Sequence, residues 1–251
     1  MKILLLLLLP IFSVLQITAQ DAVALIKEAD RLEAIPNEAA ALNKFKEVIK
    51  VDASNVYALS KCSELCSRIG SREAANPAKR DEWFRLAMGY ATLAIKADPL
   101  SDQANVSMAM ILGKSTLTKS GKEKLKNARA IKRHLDIAIK TNPHNYLAWH
   151  ILGRWNYELS NVSGLEKAGA KVLYGGVPEG TLKNAILYFE KARSFQPYFI
   201  LNYLSLANAY HKDGQKAKAI GLLKAIQAFP IKTEDDAKHK QDALKLIKSW
   251  E

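Results

Sequence analysis

An all-α fold of stacked helix pairs is what this 251-residue chain predicts, on three observations. First, apolar or small residues recur at spacings of four, three and five: Ala41, Phe45, Val48 before Ala53; Ala87, Ala91, Ala94 before Pro99; Ile131, Leu135, Ala138 before Pro143; and Ala185, Phe189, Ala192 before Pro197. Such spacing puts each set on one helical face and ends each helix at a turn. Second, each face is a single apolar stripe. One pair of helices cannot bury it alone, whereas stacked neighbours share a continuous core. Third, no stretch alternates with a period of two and no Asn-Gly or Asp-Gly hairpin signal occurs, so strands are not expected.

The elements follow in order. Residues 21–34 carry Ala22, Leu25, Ile26, Ala29 and Leu32 on one face and stop at Pro36, the pattern of an end-shielding helix. First helices of successive pairs begin just after the turns, at Val56, Asp102, Tyr146 and Ile200. A last second helix runs from Lys216 to Phe229 with Ala219, Leu223 and Ile226 inward and Pro230 as its stop. Thr233 and Asp236 form an N-cap pair for a closing helix through Leu244, Ile247 and Trp250. The most specific stretch is 143–197, where Trp149, Leu152 and Gly153 read W-x2-L-G and Ala185 and Phe189 return as A-x3-F. That is the signature of a tetratricopeptide-type repeat. The expected fold is therefore a tetratricopeptide-like helical-repeat superhelix, an α-solenoid of about five helix pairs with insertions and a C-terminal capping helix.

The turn-to-turn intervals exceed the repeat length of about 34 residues in the first three units, which places insertions between their two helices. These are Ser67 to Asp81, polar with Gly70 and Pro77; Lys114 to Lys126, basic; and Asn161 to Gly180. The third holds Leu165, Val172, Leu173 and Tyr174 before Gly175-Gly176. Exposing those four together would create an apolar patch, so Leu165 to Tyr174 is expected to be a helix packed on the array.

Lys2 followed by an apolar run from Ile3 and the small residue Ala19 reads as a secretory signal peptide over 1–19, leaving a repeat domain over 20–251. Ile3 to Phe12, the longest uninterrupted apolar piece, is too short for a spanning helix, and the mature chain is expected to have no transmembrane segment. An exported, periplasmic protein beginning at Gln20 is expected. The formal net charge of +12 favours anionic partners without selecting one. Cys62 and Cys66, four apart on one helix face, suit buried core thiols better than a disulfide.

The run Trp149 to Trp155, then Leu165-Glu166-Lys167, Leu173-Tyr174-Gly175-Gly176 with Pro178, and the Ala185 to Pro197 helix resembles the regulator of microtubule dynamics family, as does the closing Lys232 to Asp235. The similarity spans Asn37 to Trp250, with its specific part at 143–198. It implies a tetratricopeptide-like array acting as an interaction protein without catalysis. Eukaryotic members are associated with microtubules or organelle membranes. An exported chain would not meet a microtubule, so the adaptor role is the part expected to carry over.

Catalytic signals are not found in the sequence. Gly113-Lys114-Ser115-Thr116 ends like a phosphate-binding loop, but Met108 stands where the leading glycine is required. The five histidines, 134, 144, 150, 211 and 239, form no i, i+4 pair and adjoin no nucleophile motif, so neither a metal nor a cofactor is expected.

Two binding modes remain. In the first, a protein or peptide segment docks in the concave groove. The repeat register assigns Leu147, His150, Arg154 and Tyr157 to it from one unit, and Leu201, Leu204, Asn208 and His211 with Lys212 from the next. The competing role for Arg154 is to brace the adjacent insertion. In the second, Lys122, Lys126, Arg129 and Arg133 line one helix face opposite Ile131 and Leu135 and meet an anionic membrane or envelope polymer. The stripe lacks interleaved aromatics, so nucleic acid is not expected.

Overall fold

The computed structural model describes residues 9–116 and 120–251, with side chains from Asp21 onward. Among the described residues there are twelve helices and no strand: α1 (Leu9–Ala34), α2 (Glu38–Val51), α3 (Val56–Arg72), α4 (Pro77–Ala97), α5 (Asp102–Ser115), α6 (Gly121–Thr141), α7 (Tyr146–Ser160), α8 (Gly164–Tyr174), α9 (Leu182–Phe195), α10 (Ile200–Lys212), α11 (Lys216–Ile226) and α12 (Asp236–Trp250). Residues 1–8 of the expected leader lie outside the described residues, and from Leu9 the backbone is helical into α1.

The pairing is α1 with α2, α3 with α4, α5 with α6, α7 with α9 and α10 with α11, and α12 covers the last pair. Every residue of the recurring triads is buried, from Ala41, Phe45 and Val48 through to Ala219, Leu223 and Ile226. Burying a ring such as Phe45 or Phe189 is worth about 2–3 kcal/mol, so the triads supply much of the attraction between layers. The first helices begin at the four residues the spacing named.

One corner geometry joins successive units. Asp52, Asp98 and Asn142 each send their own N–H back to the carbonyl four residues earlier. Their side chains accept the N–H two residues on: Ser54 at 3.1 Å, Leu100 at 2.9 Å and His144 at 3.1 Å. The N-cap side chains of the following helices, Asn55, Ser101 and Asn145, then accept from Ala58, Ala104 and Ala148. Each cap is worth about 1 kcal/mol, and the corner closes with its polar groups satisfied. At the fourth corner Gln196 keeps the backbone bonds.

The W-x2-L-G motif acts through close approach. A Cβ on Gly153 would lie 2.5 Å from a ring carbon of Phe189, so α7 and α9 touch backbone to ring. Trp149 donates its indole N–H to the Pro143 carbonyl at 2.8 Å, and Trp155 to that of Ala128 at 2.8 Å.

Two insertions are not loops. The first is absorbed by lengthening α3 and α4, which leaves only residues 73–76 between them. The second lengthens α6 back to Gly121, and residues 117–119 within it lie outside the described residues. The third forms α8, as expected. Its packing is different from expectation: no residue of α8 is buried, and Leu165 and Val172 are each 85% exposed. The helix owes its order to its ends. Ser163 and Glu166 make a capping box at its start, and Gly175, at φ +75°, turns the chain out of it. Cys62 and Cys66 are free, buried thiols as expected, and burial pushes them up to about 12 and about 11.

Candidate functional site: the charged concave face

The inner helices carry a strip of charge. On α3, Lys61, Glu64, Arg68 and Arg72 follow one another at helical spacing and point to one side. Glu33 of α1 bridges the first part, with Lys61 at 2.9 Å and Arg68 at 2.6 Å. Burial alone would raise the Glu33 carboxyl, but those two cations hold it below its usual value. Glu64 has no such bridge, and burial raises it.

The strip continues to Glu38, the first residue of α2, which is wholly buried. Its carboxylate accepts from Arg72 at 2.8 Å and lies 3.2 Å from Arg68 Nε, too misaligned there for a hydrogen bond. The Glu38 N–H donates to the Glu234 carboxylate at 2.8 Å. Arg72 reaches the same Glu234 at 3.1 Å and Asp235 at 3.4 Å. The acidic segment before α12 is thus seated on the N-terminal layers, and the superhelix closes on itself.

Long-range electrostatics trace the interior so enclosed. Burial raises the hydroxyl of Tyr146 on α7, and Glu64, two layers away, adds to the effect. Lys114 of α5 is pushed down by burial and then by the Arg154 charge on α7, while Asp235 before α12 acts the other way. Lys114 thus feels charges carried by α7 and by the segment before α12. Arg154 is half-exposed and pairs with Glu158, one turn along its own helix, at 3.2 Å. The insertion is braced instead by Arg129, which donates to the carbonyls of Tyr174 at 3.1 Å and Gly176 at 2.8 Å.

The other groove candidates are divided by the packing. His150 is buried between Phe189 and Phe199, with Nδ1 3.0 Å from Asn202 Oδ1. Asn202 donates its amide to the Phe189 carbonyl, so its oxygen accepts and His150 Nδ1 carries the proton. Burial lowers this imidazole to about 3. Leu204 is buried as well, and the Asn208 amide is spent on the Leu204 carbonyl. His211 stays exposed, with Trp250 of α12 stacked on one side of its ring at 4.0 Å. Lys212 bonds Asn161 and sits 5.4 Å over the Tyr157 ring, tying α10 to the end of α7. Leu147, Leu201 and Tyr157 are half-buried. The register counts position along each helix only, and packing of α7 against α9 and α10 turns His150 of that face into core. The Glu33 to Arg72 strip was missed; its signal was the Lys61, Glu64, Arg68, Arg72 periodicity on an inner helix.

The stripe residues Lys122, Lys126, Arg129 and Arg133 are not buried, and their α6 face lies open. Among the described residues no helix is long and apolar enough to cross a membrane.

Fold and interior together define a tetratricopeptide-type helical array. A solved thermophilic TPR protein of Thermus thermophilus matches with a TM-score of 0.62 at 14% identity, over 89% of this chain and 99% of that one, which is agreement of fold. The family model for regulator of microtubule dynamics protein 1-3 matches residues 25–251, and the chain belongs to that family. It is similar to regulator of microtubule dynamics protein 1 of Mus musculus, 29% identical over 94% of this chain and 80% of that protein. The same protein of Pongo abelii is 28% identical over 95% and 78%.

Proposed function

We propose that this protein is a non-catalytic scaffold of the cell envelope that holds an acidic segment of a partner protein along its concave face. One observation carries the reading: the chain's own acidic segment, Glu234-Asp235, already occupies the Arg72 end of that face. Farther along, the Arg154 charge on α7 is felt by Lys114 on α5, and Arg154 pairs with Glu158 of its own helix. Lys114 is half-buried, and the exposed Arg154, held only by a solvent-facing pair within its own helix, offers a carboxylate a planar fork of donors. The relatives' name refers to microtubule dynamics, and what transfers to an exported chain is the adaptor role. The envelope location rests on the leader-like start.

The test is photo-crosslinking in the native host with a crosslinker at Tyr157, beside the anchors. A protein partner cross-linked through an acidic stretch, and lost on Lys114→Glu or Arg154→Glu, is the expected result. Cross-links unaffected by either charge reversal overturn the assignment.

A further inference from the structure

Helix α8 stands out from the array with its apolar face uncovered. At 100° per residue Leu165, Val172 and Leu173 fall on one arc, and they are 85%, 85% and 67% exposed. The opposite flank carries Lys167 and Lys171, both exposed. Only Ala170 of the helix is half-buried, and Tyr174 leans toward Gly121 at the start of α6. The side that touches the protein is thus the one away from the leucines.

The ground around α8 is basic. Arg129 clamps its C-terminal end through the Tyr174 and Gly176 carbonyls. Glu166 is held low by hydrogen bonds from Ser163, and the Lys124 charge of α6 lowers it further. Lys122, Lys126, Arg129 and Arg133 line the open side of α6, where Asp136 is paired with Lys132, and the acids at the starts of α6 and α8, Glu123 and Glu166, are engaged in capping boxes. An apolar ridge is therefore bordered by cations on the same protrusion.

We propose that α8 and the adjoining face of α6 dock on an anionic lipid bilayer, with Leu165, Val172 and Leu173 immersed below the headgroups and the surrounding lysines and arginines at the phosphates. The shape favours a bilayer over a protein partner. The ridge is convex and open on nearly all sides, so a folded partner would have to wrap around it, whereas a lipid interface admits it by immersion. Lysine stems at its border can lie along the acyl boundary with their charges at headgroup level.

The experiment uses Leu165→Cys labelled with an environment-sensitive nitrobenzoxadiazole, on the protein as its host processes it. Cys62 and Cys66 are fully buried and remain unlabelled. The expected result is a blue-shifted, brighter emission with vesicles of phosphatidylcholine and phosphatidylglycerol and no change with phosphatidylcholine alone. In parallel, the unlabelled double variant Val172→Gln/Leu173→Gln, whose sites are exposed and so leave the fold intact by melting, should sediment with the anionic vesicles at least tenfold more weakly. Reversing Lys122, Lys126 and Arg133 to Glu should abolish the emission change. An emission change equal on neutral vesicles, undiminished sedimentation of the double variant, or a change produced by envelope proteins and not by vesicles would each overturn the proposal.

Discussion

His150 Nδ1 on α7 lies 3.0 Å from Asn202 Oδ1 on α10, a buried bond between two layers of the array. A second histidine–asparagine bond lies within one pair, α6 with α5, where His134 Nδ1 meets Asn105 Oδ1 at 2.8 Å. In both, the asparagine amide is anchored on backbone carbonyls, so its oxygen is free to accept from the imidazole.

Burial of the His150 imidazole, which outweighs the opposing effect of the Asn202 bond, sets a pH dependence. Folded His150 takes up its proton only near about 3, whereas in the unfolded chain it does so near 6.5. Between those values the unfolded state binds more protons. Its contribution to stability is present above about pH 6.5 and falls as pH drops, by at most about 1.4 kcal/mol per pH unit. Melting from pH 7 to 4 should show a steep loss, and His150→Gln should flatten it. An equally steep curve for that variant would place the titrating group elsewhere.

Gly153→Ala should destabilise by about 1–3 kcal/mol, because the new methyl would meet the Phe189 ring at 2.5 Å and α9 would have to move. Urea titration measures this directly. A midpoint like that of the parent would show that the ring can turn aside.

Leu173→Asp should change the melting temperature little, by an amount equivalent to about 0.5 kcal/mol or less, since the side chain is two-thirds exposed. A Leu173 packed on the array would instead make the change cost a few kcal/mol, by burying an unpaired charge. A large drop would mean that α8 folds back onto the array in solution.

Arg154→Ala should leave stability nearly unchanged, its i, i+4 pair with Glu158 being solvent-facing. Partner affinity should weaken by about 2 kcal/mol, and Arg154→Lys should not fully restore it. Calorimetry with the cross-linked partner's acidic segment reads both variants. Lost stability with normal affinity of the folded fraction would refute the anchor.

Arg72→Met should cost about 2–3 kcal/mol, because it strips Glu38 of its aligned partner in a fully buried position and frees Glu234. Small-angle scattering should show the variant expanded. Unchanged dimensions would mean that the backbone bond from Glu38 to Glu234 suffices.

The helices and their core faces were legible because the signals are local. Three residues at spacings of four and three, with Ala53 or a proline five on, fix both where a helix lies and which side it buries. The interior was not. His150 is buried because Phe189 and Phe199 close on it and Asn202 meets its ring, and where the segment before α12 goes is set by Glu234 reaching Glu38 and Arg72 from the far end of the chain. No local pattern encodes such a meeting. Nor does patterning tell a helix that buries leucines from one that displays them, which is why α8 was expected against the array.

Closure by Glu234 also changes what kind of cooperative system this is. An open solenoid behaves as a row of units, each responsive only to its neighbours, and it can fray one unit at a time from either end. Joining the last turn to the second helix imposes a periodic boundary on that row. Losing a unit anywhere then releases both termini together, so proteolytic resistance and exchange protection at the first pair become properties of the stretch from Glu234 onward.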